Sequence, residues 1–359
     1  MTLPAHHRAG GGFRNPWPSG EPHGIGDFLR WAVVQRLTKG RPRGVSRAEF
    51  AAAFPPVAAA PARPRADDGR LLATWVGHST FLLQVGGLNV LTDPVWGERA
   101  SPVRFAGPKR WTPPGLDFDA LPPIDVVLVS HDHYDHLDAP TVRRLTAQHP
   151  GARWYAPLGV ARWLARRGAT SVVERDWWES AELPGGRGSV TCVPAQHFAG
   201  RRLTNRDGTL WCGWTVRAAG RSVYYVGDTG YFSGVADGAR RAGGPFDLVL
   251  MPVGAYAPRW FMRPVHNDPD DAVRAYREIV AASPAASPAA WPAASPASSS
   301  AVSSGGAPRT VMAGMHWGTF KLTDESMDEP PRRTRAAWTA AGLPEELLWM
   351  PRHGETREL

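Results

Sequence analysis

The sequence predicts a mixed α/β fold, and three observations carry that reading. Short apolar runs bounded by Asp, Gly or Pro recur through the middle of the chain, as buried strands do. Runs with helical spacing fall between them. With 43% apolar and 21% charged residues in 359, the chain has the composition of a globular protein and the length to bury a sizeable core.

Taken in order, residues 1–70 read as an N-terminal extension and connector. Met1 to Trp17 is rich in Gly, Pro and His, Ile25 to Leu37 has helical spacing, and Pro55 to Asp68 is a Pro/Ala/Arg connector. A single domain is expected over 71–359. It opens with strand-like runs Leu71–Val76, Phe81–Val85 and Leu88–Leu91, the last two joined by a Gly86-Gly87 hairpin turn. Val126–Val129, Leu210–Val216, Val223–Val226, Leu248–Met251 and Thr310–Ala313 are further buried-strand candidates. Val160, Trp163 and Leu164 share one helical face before Gly168. A second helix begins at Asp268 as N-cap, with Pro269 at its first position and Val273, Tyr276 and Val280 on one face. Residues 281–308 are almost entirely Ala, Ser, Pro and Gly, a composition that buries too little to offset ordering, so a disordered surface loop is expected to interrupt the domain there.

Composition narrows the function classes. Two cysteines, Cys192 and Cys212, form no CxxC pair and no disulfide framework, which fits a reducing compartment. The N-terminus lacks the apolar core of a secretory signal, and no run approaches the ~18 apolar residues of a membrane span, so a cytoplasmic protein is expected. The formal charge is +8, and only three of the 41 basic residues are lysines. That field would attract phosphates or an anionic membrane surface, giving an expectation of peripheral contact with the inner membrane face. No RNA-binding aromatic motif accompanies it, which speaks against nucleic acid as partner.

Chemistry concentrates in Ser130-His131-Asp132-His133-Tyr134-Asp135-His136, directly after the apolar run ending at Val129. Three histidines and interleaved aspartates at the mouth of a buried strand bring several lone-pair donors into one small volume, the arrangement a divalent cation needs. Three other strand-like runs end in a single metal-capable residue: His197, Asp228 and His316. Each alone reads equally as a turn or a hydrogen-bonded histidine. Together they complete two coordination shells.

The HxHxDH segment followed by His197, Asp228 and His316 resembles the metallo-β-lactamase superfamily of dinuclear metallohydrolases. Within it, Trp75-Val76-Gly77-His78-Ser79-Thr80, Leu91-Thr92-Asp93-Pro94, Gly107-Pro108-Lys109-Arg110 and Leu121-Pro122-Pro123-Ile124-Asp125 are similar to the N-acylphosphatidylethanolamine-hydrolysing phospholipases D and their bacterial relatives. The resemblance implies an αββα sandwich, two mixed β-sheets flanked by helices. It also implies that His131, His133 and His197 bind one ion, that Asp135, His136 and His316 bind another, and that Asp228 bridges them. Two divalent ions, zinc first and manganese or iron compatible with the same ligands, would share an activated hydroxide.

Other residues carry open alternatives. His266 either orients substrate, protonates a leaving group or is a plain loop histidine. His78 either lines the site floor or bonds a backbone carbonyl. Asp93 either caps a turn or fixes a ligand loop from behind. Sixteen tryptophans are many for this length, and Trp317, beside His316, is a candidate substrate contact, although most are expected in the core. Arg201-Arg202 and Arg332-Arg333 read as solvated or headgroup-facing pairs. The leading expectation is a phosphodiesterase acting on a lipid or small-molecule phosphodiester. A lactonase and a non-catalytic nucleic-acid binder with a structural metal are the alternatives.

Overall fold

The computed structural model describes residues 3–18, 21–35, 44–201, 206–283 and 310–359. Two seven-stranded mixed sheets face each other. The first contains β1 (Leu71–Gly77), β2 (Thr80–Val85), β3 (Leu88–Thr92), β4 (Val126–Leu128), β5 (Arg153–Pro157) and β6 (Val172–Arg175), with β14 (Thr356–Glu358) at the edge beside β1. The second contains β7 (Ser180–Glu182), β8 (Ser189–Val193), β9 (Gly213–Ala218), β10 (Arg221–Tyr225), β11 (Leu248–Pro252), β12 (Val311–Met315) and β13 (Leu348–Trp349) in sequential order. Each sheet passes from antiparallel hairpins to parallel strands, at β3/β4 in one and β10/β11 in the other.

The parallel strands are linked by helices, as crossover geometry demands. α1 (Ile25–Leu29) and α2 (Arg47–Ala53) precede the sheets. α3 (Ala139–Gln148) and α4 (Ala161–Ala165) serve the first sheet, and α5 (Val235–Arg241), α6 (Arg259–Met262), α7 (Pro269–Ala282) and α8 (Glu329–Ala340) the second. The αββα sandwich is therefore present. Strand alternation explains it: Leu71, Ala73 and Trp75 of β1 and Phe81, Leu83 and Val85 of β2 join the main core, while Val76, Leu82, Leu91 and Val127 face outward to Val142, Leu145 and Leu164.

Local signals placed several elements where expected. Gly86 and Gly87 turn the β2/β3 hairpin with φ of 57° and 68°, the left-handed pair a two-residue turn needs, and Val85 pairs with Leu88. Asp268 caps α7 by accepting the Asp271 backbone N–H. Other expectations need correction. The run at Leu210 becomes a strand only at Gly213, because the N–H groups of Leu210 and Cys212 donate to the carbonyls of Leu158 and Ser130 rather than to a neighbouring strand. The N-terminal helix turns π-helical over Arg30–Gln35, and its expected end at Leu37 lies outside the described residues. Ala281 and Ala282 close α7, whereas residues 284–308 of the expected loop lie outside the described residues.

Residues of the extension pack onto the sandwich. Phe13 and Phe50 enter the main core, and Asn15 Nδ2 donates to the carbonyl of His197 at 2.8 Å.

Candidate metal centre

The residues singled out for metal chemistry meet at one rim of the sandwich. The turn after β4 carries His131, His133, Asp135 and His136; the segments after β8, β10 and β12 bring His197, Asp228 and His316. Segments from 31 (His197 to Asp228) to 185 residues (His131 to His316) apart are brought together because parallel strands in one sheet end at the same side and the two sheets stack.

One cluster is formed by imidazoles. His131 Nε2 lies 2.8 Å and His197 Nε2 3.2 Å from His133 Nδ1. A single proton on His133 can serve only one of these two acceptors, whereas a cation serves all three lone pairs. Burial keeps all three rings neutral: it drives His131 well below its usual range, His133 to about 4 and His197 to about 3.

The second cluster mixes imidazole and carboxylate. Asp228 Oδ2 is 3.1 Å from His136 Nε2 and 3.0 Å from His316 Nε2. Asp135 Oδ2 is 3.5 Å from each of the same two nitrogens. Burial alone would lower both rings, but Asp228 and Asp135 outweigh it, lifting His316 to about 9 and His136 well above its ordinary value. The carboxylates respond oppositely: burial would raise them, yet His136 and its neighbours hold Asp135 and Asp228 well below the usual range. Asp228 Oδ2 also reaches toward the first cluster, 3.8 Å from His197 Nε2.

The surrounding residues set which nitrogen of each ring faces inward. Asp93 accepts from Ser130 N at 2.7 Å, from His136 Nδ1 at 2.6 Å, and from the hydroxyls of Ser130 and Tyr225. A carboxylate that accepts keeps a proton on His136 Nδ1, so Nε2 is the nitrogen left to ligate once a cation displaces its own proton. His131 Nδ1 reaches Asp93 through the Ser130 hydroxyl, at 2.8 Å from Oγ. His197 Nδ1 donates to the Val265 carbonyl at 2.9 Å. Asp93 thus sits behind the ligand loop. His78 bonds Asp135 Oδ2 at 2.9 Å through Nε2, so it orients a carboxylate rather than bonding a carbonyl.

The donor set fits divalent cations on an observation independent of motif. Asp228 Oδ1 is buried with no hydrogen-bond partner, and the buried Nε2 atoms of His136 and His316 face only the Asp228 and Asp135 carboxylates, a costly gathering of polar atoms unless something coordinates them. His316 adopts φ of +64°, an uncommon left-handed conformation for a residue with a side chain, and strain of that kind collects at functional sites.

His266 also comes to the centre. Its Nδ1, buried and without a partner, lies 4.0 Å from Asp228 Oδ2, and its ring centroid is 5.1 Å from His197 and 5.2 Å from His316. Burial holds it well below the usual histidine range, so the ring is neutral and suited to orienting a polar group rather than delivering a proton at neutral pH. Trp317 requires correction as a substrate contact. It is 3% exposed, stacks on Trp75 at 5.4 Å and donates its indole N–H to the Gly314 carbonyl, which makes it a packing residue beneath His316. Arg201 is no solvated arginine either: its Nη1 donates to the carbonyls of Asp132 and Leu137, clamping the histidine turn. Arg202 lies outside the described residues. Sequence reading missed Ser130, Tyr225 and Arg201 as supports of the ligands; only the closeness of Ser130 and Tyr225 to ligand positions could have suggested them.

Comparison with known proteins agrees with this fold. Residues 88–284 match the family model described as "Beta-lactamase superfamily domain". The chain is 38% identical over 268 residues to N-acyl-phosphatidylethanolamine-hydrolyzing phospholipase D 1 of Caenorhabditis elegans, covering 72% of this chain and 67% of that protein. It is 31% identical over 252 residues to a UPF0173 metal-dependent hydrolase of Cupriavidus taiwanensis, covering 64% and 78%. Among solved structures, the metallo hydrolase Igni18 of Ignicoccus hospitalis superposes with a TM-score of 0.54 at 18% identity, covering 81% of this chain and 98% of that one.

Proposed function

Since the chain belongs to the metallo-β-lactamase superfamily, as a metal-dependent hydrolase related to the N-acyl-phosphatidylethanolamine-hydrolysing phospholipases D and the UPF0173 hydrolases, we propose that it is a dinuclear phosphodiesterase whose substrate is a lipid phosphodiester of the N-acylphosphatidylethanolamine kind. The observation supporting two ions is the position of Asp228 Oδ2, within 3.1 Å of His136 and His316 Nε2 and 3.8 Å from His197 Nε2. In this reading His131, His133 and His197 hold one ion, Asp135, His136 and His316 the other, and Asp228 is shared.

Bound there, a pair of divalent ions supplies an acidified water and a Lewis acid for a phosphoryl oxygen. The protein's own residues do the rest. Asp93, Ser130 and the Val265 carbonyl fix the ring tautomers of His136, His131 and His197. His78 holds Asp135 in place. His266 offers an unpartnered Nδ1 toward the centre, where it orients a polar group of the substrate. The nitrogen and oxygen ligands suit zinc first, with manganese and iron compatible. The phosphodiester is favoured over a lactone by the extent of similarity to the Caenorhabditis elegans phospholipase.

Zinc-loaded protein and its Asp135→Asn variant should be assayed side by side on an N-acylphosphatidylethanolamine, a bis-aryl phosphodiester and an acyl lactone. The expected result is turnover of the phosphodiesters, abolished in the variant with its fold retained. Hydrolysis of the lactone alone overturns the substrate class. Full turnover by protein holding one ion per chain overturns the two-ion mechanism.

A further inference from the structure

The histidine turn has a second face. His131, His133 and Asp135 point to the metal centre, while the residues between them, Asp132 and Tyr134, line a separate cavity of about 1180 Å³. No residue of the metal centre lines this cavity. Its walls are the loop after β3, the start of α3, and α4 with the residues that follow it.

Arginine dominates those walls. Arg143, Arg162, Arg166 and Arg167 contribute from the helices, Arg99 and Arg104 from the facing loop, and Arg201 from below the turn. Three acids share the lining, and two already have partners: Asp138 caps α3 through Thr141, and Asp132 accepts the Gly200 N–H. None of the seven arginines is ion-paired among the described residues, whereas arginines elsewhere, such as Arg144, Arg187 and Arg333, each hold a carboxylate. The guanidinium of Arg167 sits 3.5 Å over the Trp163 ring, and its buried Nε has no partner. Burial, with Arg143 and Arg166 adding repulsion, lowers its pKa. Asp132 and Asp138 offset part of the charge of Arg201, but seven arginines against three acids leave a positive surplus; a bound anion would relieve that repulsion, and guanidinium groups match phosphate oxygens bidentately.

We infer that this cavity binds a phosphate-bearing anion, either a free phosphate compound or the headgroup of an anionic phospholipid. The headgroup source draws on one further feature: the loop that carries Arg99 and Arg104 also exposes Val103 and Phe105, the latter at 83%. Those side chains would enter the apolar edge of a bilayer if the arginines met its headgroups. Arg201 joins the two faces of the turn, since its guanidinium lies 4.1 Å over Tyr134 while it clamps Asp132 and Leu137. The inference does not rest on the metal reading.

The test uses zinc-loaded protein with two probes: inorganic pyrophosphate followed by calorimetry, and sedimentation with phosphatidylcholine vesicles with or without phosphatidylglycerol. Arg143→Ala combined with Arg166→Ala changes two exposed positions and leaves the core untouched. The double variant should bind at least about tenfold more weakly, in a salt-dependent manner, while its turnover of a bis-aryl phosphodiester stays at the wild-type level. Asp135→Asn, altered only at the metal centre, should bind the probes as wild type does. Binding of pyrophosphate alone identifies a soluble phosphate ligand, and binding of phosphatidylglycerol vesicles alone identifies a headgroup site. The inference is overturned if wild type binds neither probe, if the double variant binds both unchanged, or if pyrophosphate binding disappears with Asp135→Asn.

Discussion

Replacing Asp93 by Asn probes how the metal centre is held from behind. The carboxylate accepts from the Ser130 N–H, from His136 Nδ1–H and from two hydroxyls. The hydroxyls of Ser130 and Tyr225 can rotate to accept from an amide, but the backbone N–H and the imidazole N–H cannot. An Asn side chain has one acceptor oxygen, so one of those two donors must face an NH₂ group. If it is the backbone, a buried donor goes unsatisfied at about 1–3 kcal/mol. If it is His136, the ring moves its proton to Nε2, the atom aimed at Asp228, and must be displaced before it can ligate. The first outcome loosens Ser130, which also supports His131, and the second falls directly on the His136 ion; about 1–3 kcal/mol is roughly a 5–150-fold loss of affinity. Competition with a zinc-binding dye at neutral pH reads both affinities. The expected outcome is a weakened second site with a smaller loss at the His131, His133 and His197 site, which Asp93 supports only through Ser130. Unaltered affinity at both sites, or equal loss at both, would refute the reasoning.

Other consequences follow from the same geometry. Metal binding at pH 7 should release about one to two protons per chain, because Asp228 and Asp135 keep His316 protonated up to about 9 and hold His136 well above its ordinary value. Calorimetry in buffers of different ionisation enthalpy measures this; release should fade as pH rises past 9, and a heat independent of buffer contradicts it. Gly227→Ala should destabilise the protein by about 1–3 kcal/mol in urea titration, since φ is +70° and a Cβ would stand 2.5 Å from the Cys212 carbonyl oxygen; an unchanged midpoint contradicts it. Asp268→Ala should cost about 1 kcal/mol through loss of the α7 cap, read from the same titration, and no change would show the cap to be dispensable.

The candidate ligands were legible because each stands at the end of an apolar run, and strand ends are where a stacked-sheet fold gathers side chains. The hairpin at Gly86-Gly87 and the Asp268 cap were legible because their causes lie within a few residues. β5 and β7 were not, for different reasons. Arg153–Pro157 ends in proline and begins with arginine, and Ser180–Glu182 is a short, largely exposed edge strand with no apolar alternation. The supports of the centre were hidden by distance: Tyr225 meets Asp93 across 132 residues, and Arg201 reaches back 64 to the Leu137 carbonyl. Nothing local marks such partners. Trp317 shows the converse error, since adjacency to His316 suggested contact with substrate while its ring turns into the core against Trp75.

Anomalous diffraction from crystals of the zinc-loaded protein, recorded at the zinc edge, tests the shared-carboxylate arrangement most directly. Two peaks about 3.5–4 Å apart, with Asp228 between them and the two histidine clusters on either side, are the result expected. A single peak, or two peaks with Asp228 ligating neither, would contradict it.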